Sequence, residues 1–411
     1  MFQRIWLGEA FMKWGYICGP LITITLNLNI AYGGVESPEQ WYKSGAMAVQ
    51  KNAREFKKSM QNFDKKAKNI ILFVGDGMGV STVTAARIYA GQQLGASGEE
   101  NLLYFEKFPH LAMSKTYNTN QQTPDSAGTM TAMMTGVKTK AGLISVNQKT
   151  LRGDCRSQKG NELATALEWA EIAGMSTGVV TTARLTHATP AATYAHTFDR
   201  NYEDDADAKK FKQVKGCVDI AAQLIDFPSR FQKKYPWVDG LEVAMGGGRR
   251  SFIPKKNVKD PENGKRGERL DGRDLTQEWL SQYNNSAYVW NQKGFNNIDL
   301  EKTDHLLALF NSSHMEYDLD RLEDKGGEPS LAEMTSKALK ILKKNPEGFF
   351  LQVESGRIDH AHHATNPKRA LNDTVAFAQA VKKAVEMTNP AETLIIVTAD
   401  HSHVFTIAGY P

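Results

Sequence analysis

Three short, mostly apolar runs recur along the chain, the last of them largely β-branched: Asn69-Ile70-Ile71-Leu72-Phe73-Val74, Gly348-Phe349-Phe350-Leu351-Gln352-Val353 and Thr393-Leu394-Ile395-Ile396-Val397-Thr398. A run without polar alternation suits a strand covered on both faces, and such strands belong to parallel sheets sandwiched between helices. A fourth strand is expected at residues 176–182, and helical stretches at 162–173 and 330–344 intervene. The pattern predicts one large α/β domain with a mostly parallel central sheet and helices on both faces.

The residues directly after each run narrow the chemistry. The first run ends in Gly75-Asp76-Gly77-Met78-Gly79, the second in Glu354-Ser355-Gly356-Arg357-Ile358-Asp359-His360-Ala361-His362-His363, the third in Ala399-Asp400-His401-Ser402-His403. Carboxyl ends of parallel strands form one rim, where open α/β sheets bind ligands. Asp359 and His363 are four apart, so on a helix they share a face. Carboxylate oxygen with imidazole nitrogen is a zinc donor set. A solvated helix start is the bland alternative for the histidines alone; three strands converging on one rim argue against it.

A candidate nucleophile lies in Thr123-Pro124-Asp125-Ser126-Ala127-Gly128. Pro124 keeps its predecessor extended, and the small residues after Ser126 allow a helix to begin there. Ser126 reads either as an N-cap or as a nucleophile whose alkoxide a metal and the helix N-terminus stabilise. Thr189, after the fourth strand, offers a hydroxyl to a hard cation such as magnesium. Arg200 offers a planar fork for two phosphate oxygens, although a lone arginine is by default a surface charge.

Together with Thr186-His187-Ala188-Thr189-Pro190 and Met245-Gly246-Gly247-Gly248-Arg249, these motifs make residues 35–411 resemble the alkaline phosphatase family, in particular its animal secreted or membrane-anchored branch. The resemblance implies a phosphoserine at Ser126, with Arg200 gripping the phosphate and Asp125 orienting it. It implies two zinc ions and one magnesium: Asp76, Asp400 and His401 on one zinc, Asp359 and His363 on the other, and Asp76, Thr189 and Glu354 on magnesium. His187, His360 and His403 match positions around these ligands. Broad phosphomonoester hydrolysis at alkaline pH is the implied activity. A calcium neighbourhood is implied at Glu262, Phe310, Asn311 and Glu328, with Asn311 and Glu328 departing from the usual residues.

One departure concerns the second zinc. The family's third ligand, a histidine well beyond the Asp-His-Ser-His run, has no counterpart here, since no histidine comes after His403. The expectation is a chain incomplete at its C-terminal end, with the last strands and any lipid-anchor signal beyond Pro411.

Residues 1–33 carry Arg4 and Lys13, an apolar stretch and Ala31-Tyr32-Gly33, the pattern of a secretory signal, so residues 34–411 form the expected domain. Residues 37–66 are expected to form a helical arm, which in the family reaches a second subunit of a homodimer. The expected location is therefore secreted or at the extracellular face of the plasma membrane. Cys155 and Cys217 match a family disulfide, two buried thiols being the alternative. Asn284, Asn311 and Asn372 begin glycosylation sequons.

With 411 residues, 41% of them hydrophobic and 23% charged, the chain can bury a large core. A net charge of +4, with lysines scattered and no interleaved aromatics, does not suggest nucleic-acid binding. Two competing functions stand beside the phosphatase: a surface protein without turnover that works by binding, and a hydrolase of sulfate or phosphodiester groups.

Overall fold

The apolar runs become three adjacent strands at one side of a seven-stranded sheet. The computed structural model describes residues 38–60 and 66–408; the expected signal segment and the Tyr410-Pro411 end lie outside the described residues. The strands are β1 (Asn69–Gly75), β2 (Ser176–Arg184), β3 (Val243–Gly247), β4 (Ser286–Val289), β5 (His305–Leu309), β6 (Phe349–Ser355) and β7 (Thr393–Ala399). Their order is β4-β5-β3-β2-β6-β1-β7, and every pairing is parallel. Glu354 on β6 sits in register with Val74 on β1 and Thr181 on β2, so the ends of the three strands are level.

Alternate residues of each strand feed two cores. Leu72, Val74, Val179, Ala244 and Leu307 pack with Ala127, Met130, Leu167 and Ala191 from helices Ser126–Thr135, Ala166–Ile172 and Ala188–Tyr194. On the other face Ile71, Phe73, Val180, Val243 and Leu351 pack with Met334, Leu339, Phe377 and Val381 from helices Leu331–Leu342 and Pro367–Met387. Burial on both faces removes the polar alternation from these strands. The edge strand β7 differs. Ile395 and Val397 face the second core, whereas Leu394 and Ile396 are 47% and 42% exposed, so this apolar run is not covered on both faces as expected.

Local chemistry shortens the helix expected at residues 162–173. Thr165 and Glu168 form a capping box, so the helix begins at Ala166. Glu162 belongs instead to a bridge with Val146. The arm region holds the 23-residue helix Pro38–Met60, with Tyr42, Met47 and Val49 largely exposed. No described helix is long and apolar enough to cross a membrane. The polar, Gly- and Lys-rich segment 254–272 is pinned from inside. Arg269 is 1% exposed and bonds Asp219 and Asp271, and bridges join Pro254 to Arg269 and Lys259 to Arg266.

Candidate active site

Asp125 caps the Ser126–Thr135 helix, its Oδ1 accepting from Gly128 N at 3.0 Å, so Ser126 is the first helical residue and not the cap. The Ser126 hydroxyl points at the strand rim. It lies 3.1 and 3.2 Å from the two carboxylate oxygens of Asp76 and 3.2 Å from His401 Nε2. The turn after β1 is tight. Gly77 adopts φ +65°, and a Cβ there would meet Asp359 Oδ1 at 3.0 Å, so glycine lets Asp76 and Asp359 share one pocket.

Three groupings bring their donor atoms within 4.8 Å of one another: Asp76 with Asp400 and His401; Asp359 with His363 and His403; Asp76 with His187 and Glu354. Asp400, directly after β7, accepts from Gly77 N at 3.0 Å, which ties the two rim turns together. Asp359 and His363 share one face of helix Arg357–His363, 3.5 Å apart, as their spacing predicted. His403 Nε2 stands 3.2 Å from Asp359 Oδ1. Thr189 Oγ1 reaches Asp76 Oδ2 at 3.4 Å, which places Thr189 beside the third grouping.

Burial first, and then repulsion among neighbouring carboxylates, raises the Asp76 pKa well above its usual value and that of Glu354 to about 7. Burial likewise raises Asp359. No hydrogen bond reaches Glu354 Oε1, Asp359 Oδ1 or Asp400 Oδ2, all buried. Buried carboxylate oxygens that make no hydrogen bond, two of them facing the imidazole nitrogens of His403 and His401, fit a cation, and the mixed oxygen and nitrogen sets fit zinc. The set of Asp76, Glu354 and the Thr189 hydroxyl fits magnesium by its oxygens.

Arg200 stands at the mouth. Its Nη1 donates to Asp125 Oδ2 at 3.1 Å, and its Nη2 meets His187 Nε2 at 3.1 Å. His187 is half-buried, and burial, with the nearby arginines as the next cause, holds its pKa well below the usual value. His360, lowered to about 3 mainly by burial, packs edge-on to His187.

Two residues beside the site carry no motif in the sequence. Thr181, read only as strand, donates to Glu354 Oε2. His314 packs against both His187 and His360 and contacts Arg184, which Glu203 holds. A lone histidine in a loop gives no signal by spacing.

Of the calcium set, Asn311 and Glu328 meet, while the Glu262 carboxylate is taken by an arginine. Glu262 Oε2 is bound by the buried Arg249, and Glu328 accepts from Asn311 Nδ2 at 3.0 Å and Glu316 N at 2.8 Å. Among the described residues no three acidic or imidazole donors converge there. Cys155 and Cys217 form a disulfide. Of the three sequons, Asn284 is exposed before β4, while Asn311 is engaged by Glu328. Asn372 lies inside helix Pro367–Met387 with Thr374 buried, its hydroxyl bonded to Ala370 O, so this third sequon is no surface loop.

A family model described as alkaline phosphatase matches residues 67–411. The tissue-nonspecific isozyme of alkaline phosphatase from Rattus norvegicus is 46% identical over 381 residues, covering 91% of this chain and 70% of the relative. The alkaline phosphatase of Gadus morhua is 46% identical over 358 residues, 86% of this chain and 72% of the relative. Among solved structures, the Thermus thermophilus alkaline phosphatase superposes with a TM-score of 0.65 at 29% identity, over 83% of this chain and 60% of that one.

Proposed function

The chain belongs to the alkaline phosphatase family, and on that premise we propose that it hydrolyses phosphate monoesters through a phosphoserine at Ser126. The observation that carries this reading is the Ser126 hydroxyl, set at a helix N-terminus against Asp76 and His401 with the Arg200 fork nearby.

Arg200 binds two oxygens of the phosphoryl group, and its own orientation comes from Asp125 on one side and His187 on the other. Arg200 can only donate, so His187 accepts at Nε2 and does not repel the guanidinium it orients. Ser126 Oγ bonds phosphorus as the bond from phosphorus to the alcohol oxygen breaks, the hydroxyl proton ending on the departing alcohol; water then cleaves the phosphoserine, its hydroxyl going to phosphorus and its proton back to Ser126, and releases inorganic phosphate. The N-terminus of the ten-residue helix favours negative charge at Ser126. Zinc at Asp76, Asp400 and His401 and at Asp359 and His363, with magnesium at Asp76, Thr189 and Glu354, would supply electrostatic stabilisation of the entering and leaving oxygens. The groups identified grip only the phosphoryl end, which supports broad tolerance of the alcohol.

Secretion is part of the same reading, supported by the Cys155–Cys217 disulfide and the exposed Asn284 sequon. The exposed apolar residues of the Pro38–Met60 helix support its use as a homodimer arm. The test of the activity is incubation of the zinc- and magnesium-loaded protein with a phosphate monoester, a diester and a sulfate ester. Fast release from the monoester alone, with acid-stable label trapped on Ser126, is the expected result. Preference for the diester or the sulfate ester, or no release at all, would replace this reading with one of its rivals.

A further inference from the structure

Asp125 carries more donors than a helix cap needs. Oδ1 accepts from Gly128 N at 3.0 Å and from Asn118 Nδ2 at 2.8 Å; Oδ2 accepts from Gly142 N at 2.9 Å and from Arg200 Nη1 at 3.1 Å. Three of these four donors come from Gly128, Asn118 and Gly142, so the carboxylate plane is set without Arg200. Asn118 is the one side chain other than Arg200 in that set, and it comes from outside the motifs that define the site.

The surroundings of Asn118 are built around its amide. The residue is 3% exposed. Its backbone is locked by reciprocal bonds with Gln121, N to O at 3.0 Å and O from N at 3.2 Å, and Thr119 N is anchored on Thr139 O at 2.9 Å. The amide lies against Gly128, where a Cβ would come within 2.5 Å of Asn118 Oδ1 and 2.7 Å of its Cγ. The helix therefore gives up a side chain at its third position to admit this group. Asn118 Oδ1 itself bonds nothing, so the amide's hydrogen-bonding role lies in its NH2.

We propose that Asn118 is a positioning residue for phosphate capture: its NH2 fixes the Asp125 carboxylate, which in turn fixes the guanidinium of Arg200. The inference rests on the reading of Arg200 as the phosphate clamp. Loss of one hydrogen bond to a carboxylate weakens the clamp without removing it, because Gly128 N and Gly142 N remain. The expected cost is about 3- to 10-fold in phosphate affinity.

The test uses the metal-loaded full chain and inorganic phosphate, with affinity measured by competitive inhibition and by titration calorimetry. Four proteins form a cycle: the parent, Asn118→Ala, Arg200→Ala and the double variant. The expected result is weaker phosphate binding in Asn118→Ala and no further weakening when the same change is made on top of Arg200→Ala. Asn118→Asp, which keeps the shape but sets an acceptor against Asp125, should bind phosphate at least as weakly as Asn118→Ala. It also serves if the alanine variant does not fold. Equal losses in both backgrounds would show that Asn118 acts elsewhere, and unchanged affinity in Asn118→Ala and Asn118→Asp would remove it from the clamp. If Arg200→Ala itself binds phosphate as the parent does, the clamp assignment fails and this inference fails with it.

Discussion

Ser126 Oγ lies 3.1 Å from Asp76 Oδ1, although fifty residues separate them in the chain. The first ends a loop excursion from the sheet; the second directly follows β1. Their meeting turns a helix-initiating serine into a candidate nucleophile, and replacement tests it most directly. Ser126→Ala should lower turnover by on the order of a thousandfold or more, while phosphate affinity changes far less. Steady-state kinetics, with acid-quench labelling from a radioactive phosphomonoester, reads both. Retention of covalent label in the alanine variant would sink the assignment.

At the opposite rim of the sheet, two carboxylates close on Thr177. Glu171 Oε1 accepts from its hydroxyl at 2.5 Å, and Glu242 Oε2 from its N–H at 2.6 Å. Burial, with Asp239 and each other nearby, raises both from 4.5 to about 8. The folded chain then keeps protons that the unfolded chain has already lost. Stability from these groups is fullest below about pH 4.5, falls as pH rises to about 8, and is level beyond. Glu242→Gln removes one titration, so this variant should gain about 1–2 kcal/mol on the parent between pH 5 and 9. Urea melts at pH 5, 7 and 9 measure it, and a difference independent of pH would refute the mechanism.

Arg249 is fully buried, with Asp260 Oδ2 at 2.7 Å, Glu262 Oε2 at 2.5 Å and Leu309 O at 2.7 Å. Arg249→Met keeps most of the volume and strands the buried Asp260 carboxylate. The expected loss is about 3–5 kcal/mol in urea unfolding. The same change frees Glu262, so any response of melting temperature to millimolar calcium should be larger in this variant than in the parent. A parent that already responds strongly would mean the neighbourhood binds calcium despite Arg249.

The disulfide closes a loop between positions 62 residues apart. Restricting the unfolded chain to that extent contributes about 4 kcal/mol. Cys155→Ser with Cys217→Ser should lose an amount of that order in denaturant melts, and reductant should then leave the variant's midpoint unchanged while lowering the parent's. Equal midpoints for parent and variant under oxidising conditions would contradict the linkage.

Much of the site is legible without the fold. Buried parallel strands abolish alternation, so Asn69–Gly75 and Phe349–Ser355 announce themselves as mostly apolar runs, and the residues that succeed each run must lie at one rim. A four-residue spacing on a helix is equally local, which is why the pairing of Asp359 with His363 can be read from the chain. Thr181, His314 and Asn118 are invisible there because their partners come from 173, 46 to 130 and 7 residues away, through loops whose course no periodicity encodes. The calcium set shows the converse: Glu262 has a suitable donor type, yet a buried guanidinium from another segment takes its carboxylate. Sequence alone determined which residue types stand at strand ends and which share a helical face, because those depend on backbone geometry over a few residues. Only the tertiary structure decided which distant side chains saturate which donors, because that depends on how loops cross the rim and on which groups are sealed from water together.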